Sequence, residues 1–444
     1  MSHIFPRRLN GQLPTVAGGD GCYLIDTEGK RYLDASGGAA VSCLGHSATP
    51  VIEAAKAQLD AIPYAHTSFF TSEPAERLAR QLINLAPAGL DRVYFVSGGS
   101  EAVETAIKLA RQTQIERGAT ARRHVIARWQ SYHGNTLGAL SAGGNRWRRQ
   151  AFQPLLSPAM HHIDPCYAWR WAEPGESPED YGLRMANQLD AKIRELGPDT
   201  VAAFIAEPVV GGTIGAVPAT PGYFARIREI CDHHGVLLIF DEVMCGMGRT
   251  GHLFACEAEG VAPDILCIAK GLGAGIQPIG ATLCTAEVFA TIAEGSGTFH
   301  HGHTYLGHPT ACAASLAALG EIQRLLPRVL PIGERLQAAL EAALGQHPAV
   351  GDIRGRGLFR GIELVADRET KAPFEPSFGL AGRIKDLAFA DGLMVYPGTG
   401  TVDGRRGDHI LLAPPFILED AQIREITEKL GRALDGALAT ATAA

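Results

Sequence analysis

The chain has 444 residues, more than the roughly 250–300 at which one hydrophobic core stops growing, so at least two core-forming lobes are expected. Hydrophobic residues make up 46% and the formal net charge is −7 without a long Lys/Arg cluster, which argues against nucleic acid as the main partner. Nine cysteines without a C-x-x-C pair suit reduced thiols, and no run approaches the roughly 18 apolar residues of a membrane span. We therefore expect a cytoplasmic protein with a small-molecule site, bound to neither nucleic acid nor a membrane.

The first elements in chain order are a hairpin and then an alternation of strands and helices. Two short apolar stretches between Cys22 and Leu33 flank the polar residues 26–30 and predict the hairpin. From about Pro50, short apolar runs alternate with helical stretches, which is typical of a mostly parallel sheet covered on both faces. The predicted strands are Val93–Val96, Val125–Ala127, Val201–Ala206, Val236–Phe240, Ile265–Ile268 and Ala281–Cys284, and helices are predicted at Glu101–Gln114 and Pro221–His233.

The last part of the chain returns to helices and short strands. Helices are predicted at Thr310–Arg324, Ile332–Leu344 and Glu419–Leu438, and strands around Gly357–Val365, Leu393–Tyr396 and Ile410–Leu412. We expect a second lobe that shares its sheet with the N-terminal hairpin. The predicted division is an N-terminal segment at residues 1–49 that joins the small domain, a large domain at residues 50–325 and a small domain at residues 326–444.

A strand that ends in two carboxylates, Asp241 and Glu242, is the first chemical signal. Ligands of open α/β sheets bind beyond the carboxyl ends of the strands, so Asp241 stands where a ligand would lie, although such a residue often only caps a turn. The following Gly246–Gly251 satisfies G-x-G-x-x-G and suggests a nicotinamide dehydrogenase. That motif should begin at the strand end and open a helix, and Gly251–Phe254 opens none.

A second strand delivers Lys270 directly into the glycine-rich residues 271–275. A nucleotide P-loop has its glycines before the lysine, so that motif is excluded. An isolated lysine in such a turn would usually be solvated. The apolar strand before the lysine and the glycines after it would instead allow the amine to be buried against a planar ligand. Burial lowers the lysine pKa, as Schiff-base chemistry requires.

A third strand turns through Ser97–Gly99 into a helix that begins near Ser100. Free N–H groups and the helix dipole make such a turn an anion site. A simple helix cap with Glu101 in the first turn is compatible with the same residues.

Together these segments resemble the class III (subgroup III) aminotransferases of the fold-type I pyridoxal-phosphate enzymes. The likeness covers nearly the whole chain and is strongest toward omega-amino-acid and amine transaminases. It rests on Gly29–Asp34, Ser100–Ala102, Tyr132–Gly134, Glu207–Pro208, Asp241–Val243, Gly248–Gly251, Lys270–Gly271, His303–Pro309 and Gly407–Phe416. The resemblance implies an α/β fold with a large, mostly parallel sheet domain and a smaller α+β domain, and pyridoxal 5'-phosphate as the cofactor.

The resemblance also implies roles for residues around the cofactor ring. Lys270 matches the lysine that holds the cofactor aldehyde and later moves the proton, and Asp241 matches the carboxylate that pairs with the pyridine nitrogen. Val243 would pack under the ring and Tyr132 would stack on its other face, with His133 beside it in the same motif.

Further residues match the groups that bind the phosphate and order the ring region. Gly99 and Ser100 match the phosphate loop, and Glu207 matches the acidic residue that orders the ring region. Thr304 matches a threonine that reaches the phosphate from the neighbouring subunit, which implies a homodimer or a dimer of dimers. Many relatives have Asn-Ser before the loop glycine where this chain has Ser97-Gly98, so the phosphate would rely more on backbone N–H groups.

The expected substrate contacts are an aromatic patch and an arginine. Tyr64, Phe69 and Phe70 either line the substrate pocket or pack in the core. Arg406, or Arg405 if the register slips by one, would grip a substrate carboxylate, against the alternative of two solvated cations. Three histidines lie close together just before Thr304, namely His300, His301 and His303. Their spacing is not that of metal ligands, so no metal is expected.

The reaction implied is transfer of an amino group from an amine or an omega- or alpha-amino acid to a keto acid, pyruvate or 2-oxoglutarate. An aminomutase or racemase would use the same Lys270 and Asp241 and stays open as an alternative. The donor, the acceptor and the stereopreference are not specified by the sequence.

Overall fold

The computed structural model describes residues 3–7, 9 and 12–439. The strands are β1 Val16–Asp20, β2 Tyr23–Asp26, β3 Arg31–Asp34, β4 Leu90–Val96, β5 His124–Arg128, β6 Met160–Ile163, β7 Val201–Ala206, β8 Val209–Val210, β9 Val217–Pro218, β10 Leu237–Asp241, β11 Ile265–Ile268, β12 Gly280–Thr285, β13 Val350–Arg356, β14 Phe359–Leu364, β15 Leu393–Met394, β16 Tyr396–Thr399 and β17 Asp408–Leu412.

The helices are α1 Gly37–Ala40, α2 Thr49–Ala61, α3 Glu73–Leu85, α4 Gly99–Glu116, α5 Leu137–Ala142, α6 Arg146–Gln150, α7 Ala168–Trp171, α8 Pro178–Leu196, α9 Tyr223–His234, α10 Ala286–Glu294, α11 Pro309–Leu344, α12 Leu380–Ala390 and α13 Asp420–Ala439. Short 3-10 turns span Gln153–Leu155, Pro198–Thr200, Ala255–Glu259, Lys270–Leu272 and Pro376–Phe378.

The large sheet has the strand order β4-β12-β11-β10-β7-β5-β6. Strand β12 is antiparallel to both of its neighbours, whereas the pairs from β11 to β6 are parallel, so the predicted mostly parallel sheet is confirmed. Every residue of β7, β10 and β11 is buried, which explains why these strands are continuous apolar runs. The edge strand β6 escaped prediction because its sequence, Met-His-His-Ile, is too short and polar to stand out.

The predicted N-terminal hairpin is confirmed, since β2 and β3 pair antiparallel. Its turn is fixed by Asp26, whose Oδ1 accepts the N–H groups of Glu28 at 3.0 Å and Lys30 at 2.9 Å. The C-terminal part joins this sheet through β15, which runs parallel to β3. It also forms its own antiparallel sheet, of order β13-β14-β17-β16.

Helix α11 corrects the sequence analysis, which predicts two separate helices at Thr310–Arg324 and Ile332–Leu344. The structure has one helix of 36 residues that continues through Pro327 and Pro331. Each proline removes a backbone donor and costs about 3 kcal/mol in a helix interior. The buried side chains Leu325, Val329 and Ile332 continue the apolar face across both prolines and offset that cost. The predicted domain boundary after residue 325 falls inside α11 and stays a prediction.

No helix in the described part of the chain is long and apolar enough to cross a membrane.

A buried charge network joins the two predicted domains. Glu363 on β14 is fully buried. Its carboxylate lies 2.7 Å from Arg354 Nη2 and accepts hydrogen bonds from Arg170 Nε at 2.6 Å and from the hydroxyl of Tyr167. Arg354 Nε also donates to the carbonyl of Gly215 at 2.8 Å. Burial alone would raise the pKa of Glu363, but the two guanidinium groups outweigh burial and lower the pKa.

We predict that Glu363→Gln destabilises the protein by about 3–5 kcal/mol, because two guanidinium groups would lose their buried counter-charge. The thermal unfolding midpoint, followed by circular dichroism at a fixed scan rate, should fall by several degrees. Glu321→Gln is the control, since Glu321 pairs with Arg324 at 2.6 Å on the surface of α11 and such pairs contribute about 0–1 kcal/mol. Equal shifts in both variants would contradict the assignment.

Candidate active site

A cavity of about 260 Å³ lies at the carboxyl ends of the central parallel strands. Because β10 and β11 are adjacent and Asp241 pairs in register with Cys267, both strands deliver their last residues to the same edge of the sheet. The predicted cofactor residues that line the cavity are Gly99, Ser100, Tyr132, His133, Glu207, Asp241, Val243 and Lys270. The structure therefore brings together eight of the nine residues that the resemblance assigned to the cofactor.

Asp241 is the last residue of β10 and is held in one orientation by two neighbours. Its Oδ2 lies 2.7 Å from His133 Nδ1, and its Oδ1 accepts the N–H of Val243 at 3.0 Å. The carboxyl is 3% exposed, so water does not screen its interaction with a ligand in the cavity. This arrangement can hold a positive charge at a fixed point on the cavity wall.

Lys270 follows β11 and begins a 3-10 turn. Its φ of +43° is in the left-handed region, which a lysine adopts only when the surrounding structure imposes it. Burial lowers the pKa of the amine, while the negative charges of Asp241 and Glu207 act in the opposite direction. The net result is an amine that loses its proton more readily than a solvated lysine.

The turn before α4 presents backbone donors to the cavity. Helix α4 begins at Gly99, and Gly98 precedes it without a side-chain cap. Glu101 Oε2 accepts the N–H of Ser97 at 2.8 Å, and Ser100 Oγ accepts the N–H of Asn135 at 3.0 Å. A Cβ at Gly99 would lie 2.6 Å from Val243 Cγ1, so only glycine permits this close approach of the helix start to Val243.

Glu207 follows the central strand β7 and anchors the turn that carries Tyr132. Its carboxylate accepts the N–H of Tyr132 at 3.0 Å and that of Gly211 at 2.9 Å. Burial raises the pKa of Glu207, and these two hydrogen bonds act in the opposite direction. Glu207 therefore fixes the backbone from which Tyr132 projects at the cavity.

The remaining predicted site residues lie outside this cavity of the single chain. Thr304 is exposed, and its carbonyl accepts the hydroxyl of Tyr64 at 2.9 Å. Phe69 is 79% exposed and Phe70 68%, so neither packs in the core of this chain. Arg406 is exposed and its Nε lies 2.8 Å from Asp403 Oδ2.

The histidines near Thr304 make local contacts. His301 Nε2 lies 2.9 Å from Thr105 Oγ1, and His303 Nδ1 lies 4.0 Å from a Glu101 carboxylate oxygen. Across the residues that the structure describes, no three His, Cys, Asp or Glu side chains are grouped as metal ligands would be.

Several lining residues were not predicted, notably Val41, Met244, Gln277 and Ile279. Gln277 and Ile279 stand beside Lys270 because residues 271–275 turn sharply, and a Cβ at Gly273 would lie 2.1 Å from the Gln277 carbonyl oxygen. That glycine run was the available signal, since it returns the chain to the strand edge. Val41 has no such signal, because it arrives from the N-terminal segment.

Comparison with known proteins gives the family. The model of the family described as aminotransferase class-III matches residues 7–434. The chain is a class III aminotransferase. It is 43% identical over 440 residues to an uncharacterized aminotransferase from Schizosaccharomyces pombe, covering 99% of this chain and 96% of that relative.

Solved structures agree with the fold and the cofactor. The PMP-bound aminotransferase from Vibrio fluvialis matches with a TM-score of 0.89 and 32% identity, over 96% of this chain and 93% of the other. The omega transaminase from Pseudomonas jessenii in complex with PMP gives 0.90 and 34%, over the same shares of each chain. PMP is the aminated form of pyridoxal phosphate, which is the cofactor of this fold-type I enzyme.

The cavity of the aminotransferase fits that cofactor. It offers a half-buried amine of lowered pKa at Lys270, a buried carboxylate at Asp241 and an uncapped helix start at Gly99, which suit an aldehyde, a pyridine nitrogen and a phosphate. His133 Nε2 is buried and has no hydrogen-bond partner among the described residues. A polar ligand in the cavity would supply a hydrogen-bond partner for this nitrogen.

We predict that Gly99→Ala weakens cofactor retention by the aminotransferase, because the new Cβ would push Val243 and overpacking costs about 1–3 kcal/mol. The dissociation constant of pyridoxal phosphate, measured by fluorescence titration of the cofactor-free protein, should rise at least several-fold. Gly98→Ala is the stability control, since its Cβ would meet nothing within 4 Å. An unchanged dissociation constant in Gly99→Ala would show that Val243 gives way freely.

Proposed function

We propose that this aminotransferase moves an amino group from a small amine, or an omega- or alpha-amino acid, to a keto acid such as pyruvate or 2-oxoglutarate. The observation that carries the proposal is the placement of Lys270 and Asp241 in one cavity at the ends of adjacent strands. The likeness to omega transaminases, including that of Pseudomonas jessenii, supports an amine or omega-amino acid as donor.

Two residues of the chain would carry the chemistry. When bound, pyridoxal phosphate supplies an aldehyde that accepts the amino group and a ring that withdraws electrons from the substrate carbon. Lys270 Nζ would hold the aldehyde and, once displaced by the donor amine, move the proton from the substrate carbon. Its lowered pKa favours the neutral amine that this proton transfer needs. Asp241 would keep a proton on the ring nitrogen by its fixed negative charge.

An aminomutase or racemase of the same fold is the alternative, because both would use Lys270 and Asp241. A coupled assay that follows donor and keto acid together separates the possibilities. A transaminase consumes one keto acid for each donor, whereas the alternatives convert the donor without any keto acid. Conversion of donor in the absence of keto acid, beyond one turnover, would overturn the proposal.

We predict that Asp241→Asn slows the first half-reaction by at least a hundredfold while the fold is retained, because a neutral amide cannot hold the ring proton by charge. Rapid mixing of the loaded enzyme with donor, followed by absorbance, measures this rate. Circular dichroism of the variant should match that of the parent. An unchanged rate would remove Asp241 from its assigned role.

A homodimer with shared sites is part of the proposal. Thr304 would reach the phosphate of the partner subunit, and Tyr64, which bonds to Thr304, would bring the exposed side chains Phe69 and Phe70 into the partner's substrate pocket. Their exposure in the single chain suits a surface that a second copy covers.

Mixed dimers test this sharing. Thr304→Ala and Lys270→Ala variants are each predicted to be weakly active or inactive, whereas co-refolded mixtures should form heterodimers with one site that carries both defects and one that carries neither. Mixing should therefore restore up to about a quarter of the parent activity per subunit pair for a random assortment. Activity equal to the sum of the separate variants would contradict a shared site.

Arg406 is the proposed group that binds a substrate carboxylate. A guanidinium offers two parallel donors to a carboxylate, and a long side chain on a glycine-rich loop can withdraw for a substrate without an acid group. Arg406→Ala should therefore raise the KM for pyruvate by on the order of tenfold, which corresponds to ~1.4 kcal/mol of charged hydrogen bonding. Arg405→Ala tests the alternative, since a selective rise of the KM for pyruvate in that variant would move the role to Arg405. Equal effects of Arg406→Ala on pyruvate and on a simple amine would remove Arg406 from the site.

A further inference from the structure

The loop that carries Arg406 is firmly held at its base. The N–H of Gly400 donates to the Gly407 carbonyl at 2.7 Å, and that of Val402 donates to the Arg406 carbonyl at 2.9 Å. The buried side chain of Gln130 donates to the carbonyls of Gly400 and Thr401. Any movement of the loop is therefore confined to its tip.

A second contact fixes the base from the other side. Thr401 is 1% exposed, and its Oγ1 lies 2.7 Å from Nδ1 of the fully buried His409. Gln130 stands two residues before Tyr132, so the base of the loop is attached to the segment that lines the cofactor cavity. The base of the loop is thereby joined through Gln130 to one wall of the cavity.

At the tip, one carboxylate receives three hydrogen bonds. Asp403 Oδ1 accepts the N–H of Arg405 at 2.9 Å and that of Arg406 at 2.8 Å. Asp403 Oδ2 accepts Arg406 Nε at 2.8 Å. The two oxygens thus have separate tasks, since one shapes the turn and the other binds the guanidinium.

The Asp403 carboxyl is ionised at neutral pH. Partial burial works against the charge, but the backbone and side-chain hydrogen bonds from Arg406 outweigh it and lower the pKa of Asp403. Arg406 is therefore bound to an internal group of the same chemistry as the carboxylate of an acidic substrate.

We propose that Asp403 is a specificity-determining residue, a latch that binds Arg406 outside the site and competes with the substrate carboxylate for its guanidinium. This inference rests on the role proposed above for Arg406. An acidic substrate displaces Asp403, whereas an uncharged amine leaves the pair closed and meets no unpaired cation. Both side chains are substantially exposed, at 56% for Arg406 and 39% for Asp403, so the pair is weak enough to open at each turnover.

The latch reduces the fraction of enzyme whose Arg406 is free to bind a substrate carboxylate. The apparent dissociation constant of an acidic substrate rises in inverse proportion to that fraction. Asp403→Asn separates the two tasks of the side chain, because the amide oxygen can still accept the two backbone N–H groups while the negative charge is removed. The KM for pyruvate should fall about two- to fivefold, the range that an exposed ion pair allows. The KM for a simple amine should not fall, and kcat should be unchanged.

The matched control is Asp391→Asn. Asp391 is 42% exposed and binds Arg432, 59% exposed, at 2.7 Å on another surface, so this variant makes the same chemical change to a similar pair. Its KM values should equal those of the parent. A fall in the KM for pyruvate in both variants would reduce the effect to net charge and overturn the latch.

The double variant Asp403→Asn with Arg406→Ala tests whether Asp403 acts through Arg406. Its KM for pyruvate should equal that of Arg406→Ala alone. If Asp403→Asn leaves the ratio of the two KM values at the parent value while Arg406→Ala raises it, the latch is wrong and the proposed grip by Arg406 stands. If Arg406→Ala also has no selective effect, both assignments fail, while transamination itself remains. If the unmodified enzyme shows no transamination at all, the proposed function is refuted instead.

Discussion

The central constraint on this structure is the desolvation of an amine that lies beside two carboxylates in one cavity. Asp241 is buried and Lys270 is half-buried, so the negative charge of Asp241 acts on the amine with little screening by water. Desolvation lowers the pKa of Lys270, so the amine is more often neutral and able to accept a proton, and the fixed charge of Asp241 would be available to a ring nitrogen. Both effects require side chains that cannot rotate away, which explains the hydrogen bonds to Asp241 and the imposed backbone angle of Lys270.

The sheet supplies that rigidity. Adjacent parallel strands bring Asp241 and Lys270 to one edge, and both strands are buried throughout, so neither can shift without opening the core. Glycine is needed where the backbone itself forms the wall, as at Gly99 against Val243. The first N–H groups of a helix lack intrahelical partners, and the first residues of α4, Gly99 and Ser100, line the cavity, where an anion would bind.

Those features of the site that depend on local pattern could be predicted from the sequence. Strands buried on both faces appear as uninterrupted apolar runs. Asp241, at the end of β10, and Lys270, just beyond β11, are positioned by these strands. Features that depend on distant packing could not be predicted. Val41 reaches the cavity from another part of the chain, and the continuous helix α11 exists because burial outweighs its prolines. The roles proposed for Thr304 and Phe69 would need a second subunit, and both residues are exposed in the single chain.

The protein combines ion pairs of two different strengths. Glu363 and the arginines around it are buried, so removing one partner leaves charges that cost several kcal/mol, and such a network holds a fixed geometry between two parts of the fold. The pair of Asp403 and Arg406 is exposed and contributes at most about 1 kcal/mol, which would be a poor support for a fold. That weakness suits the exchange of partners proposed for Arg406, because a stronger pair would exclude acidic substrates and no pair at all would leave a cation facing neutral ones. A rigid interior that fixes the geometry of the fold and a weakly held surface loop that would adjust the substrate range, as proposed for Arg406, are therefore compatible in one protein.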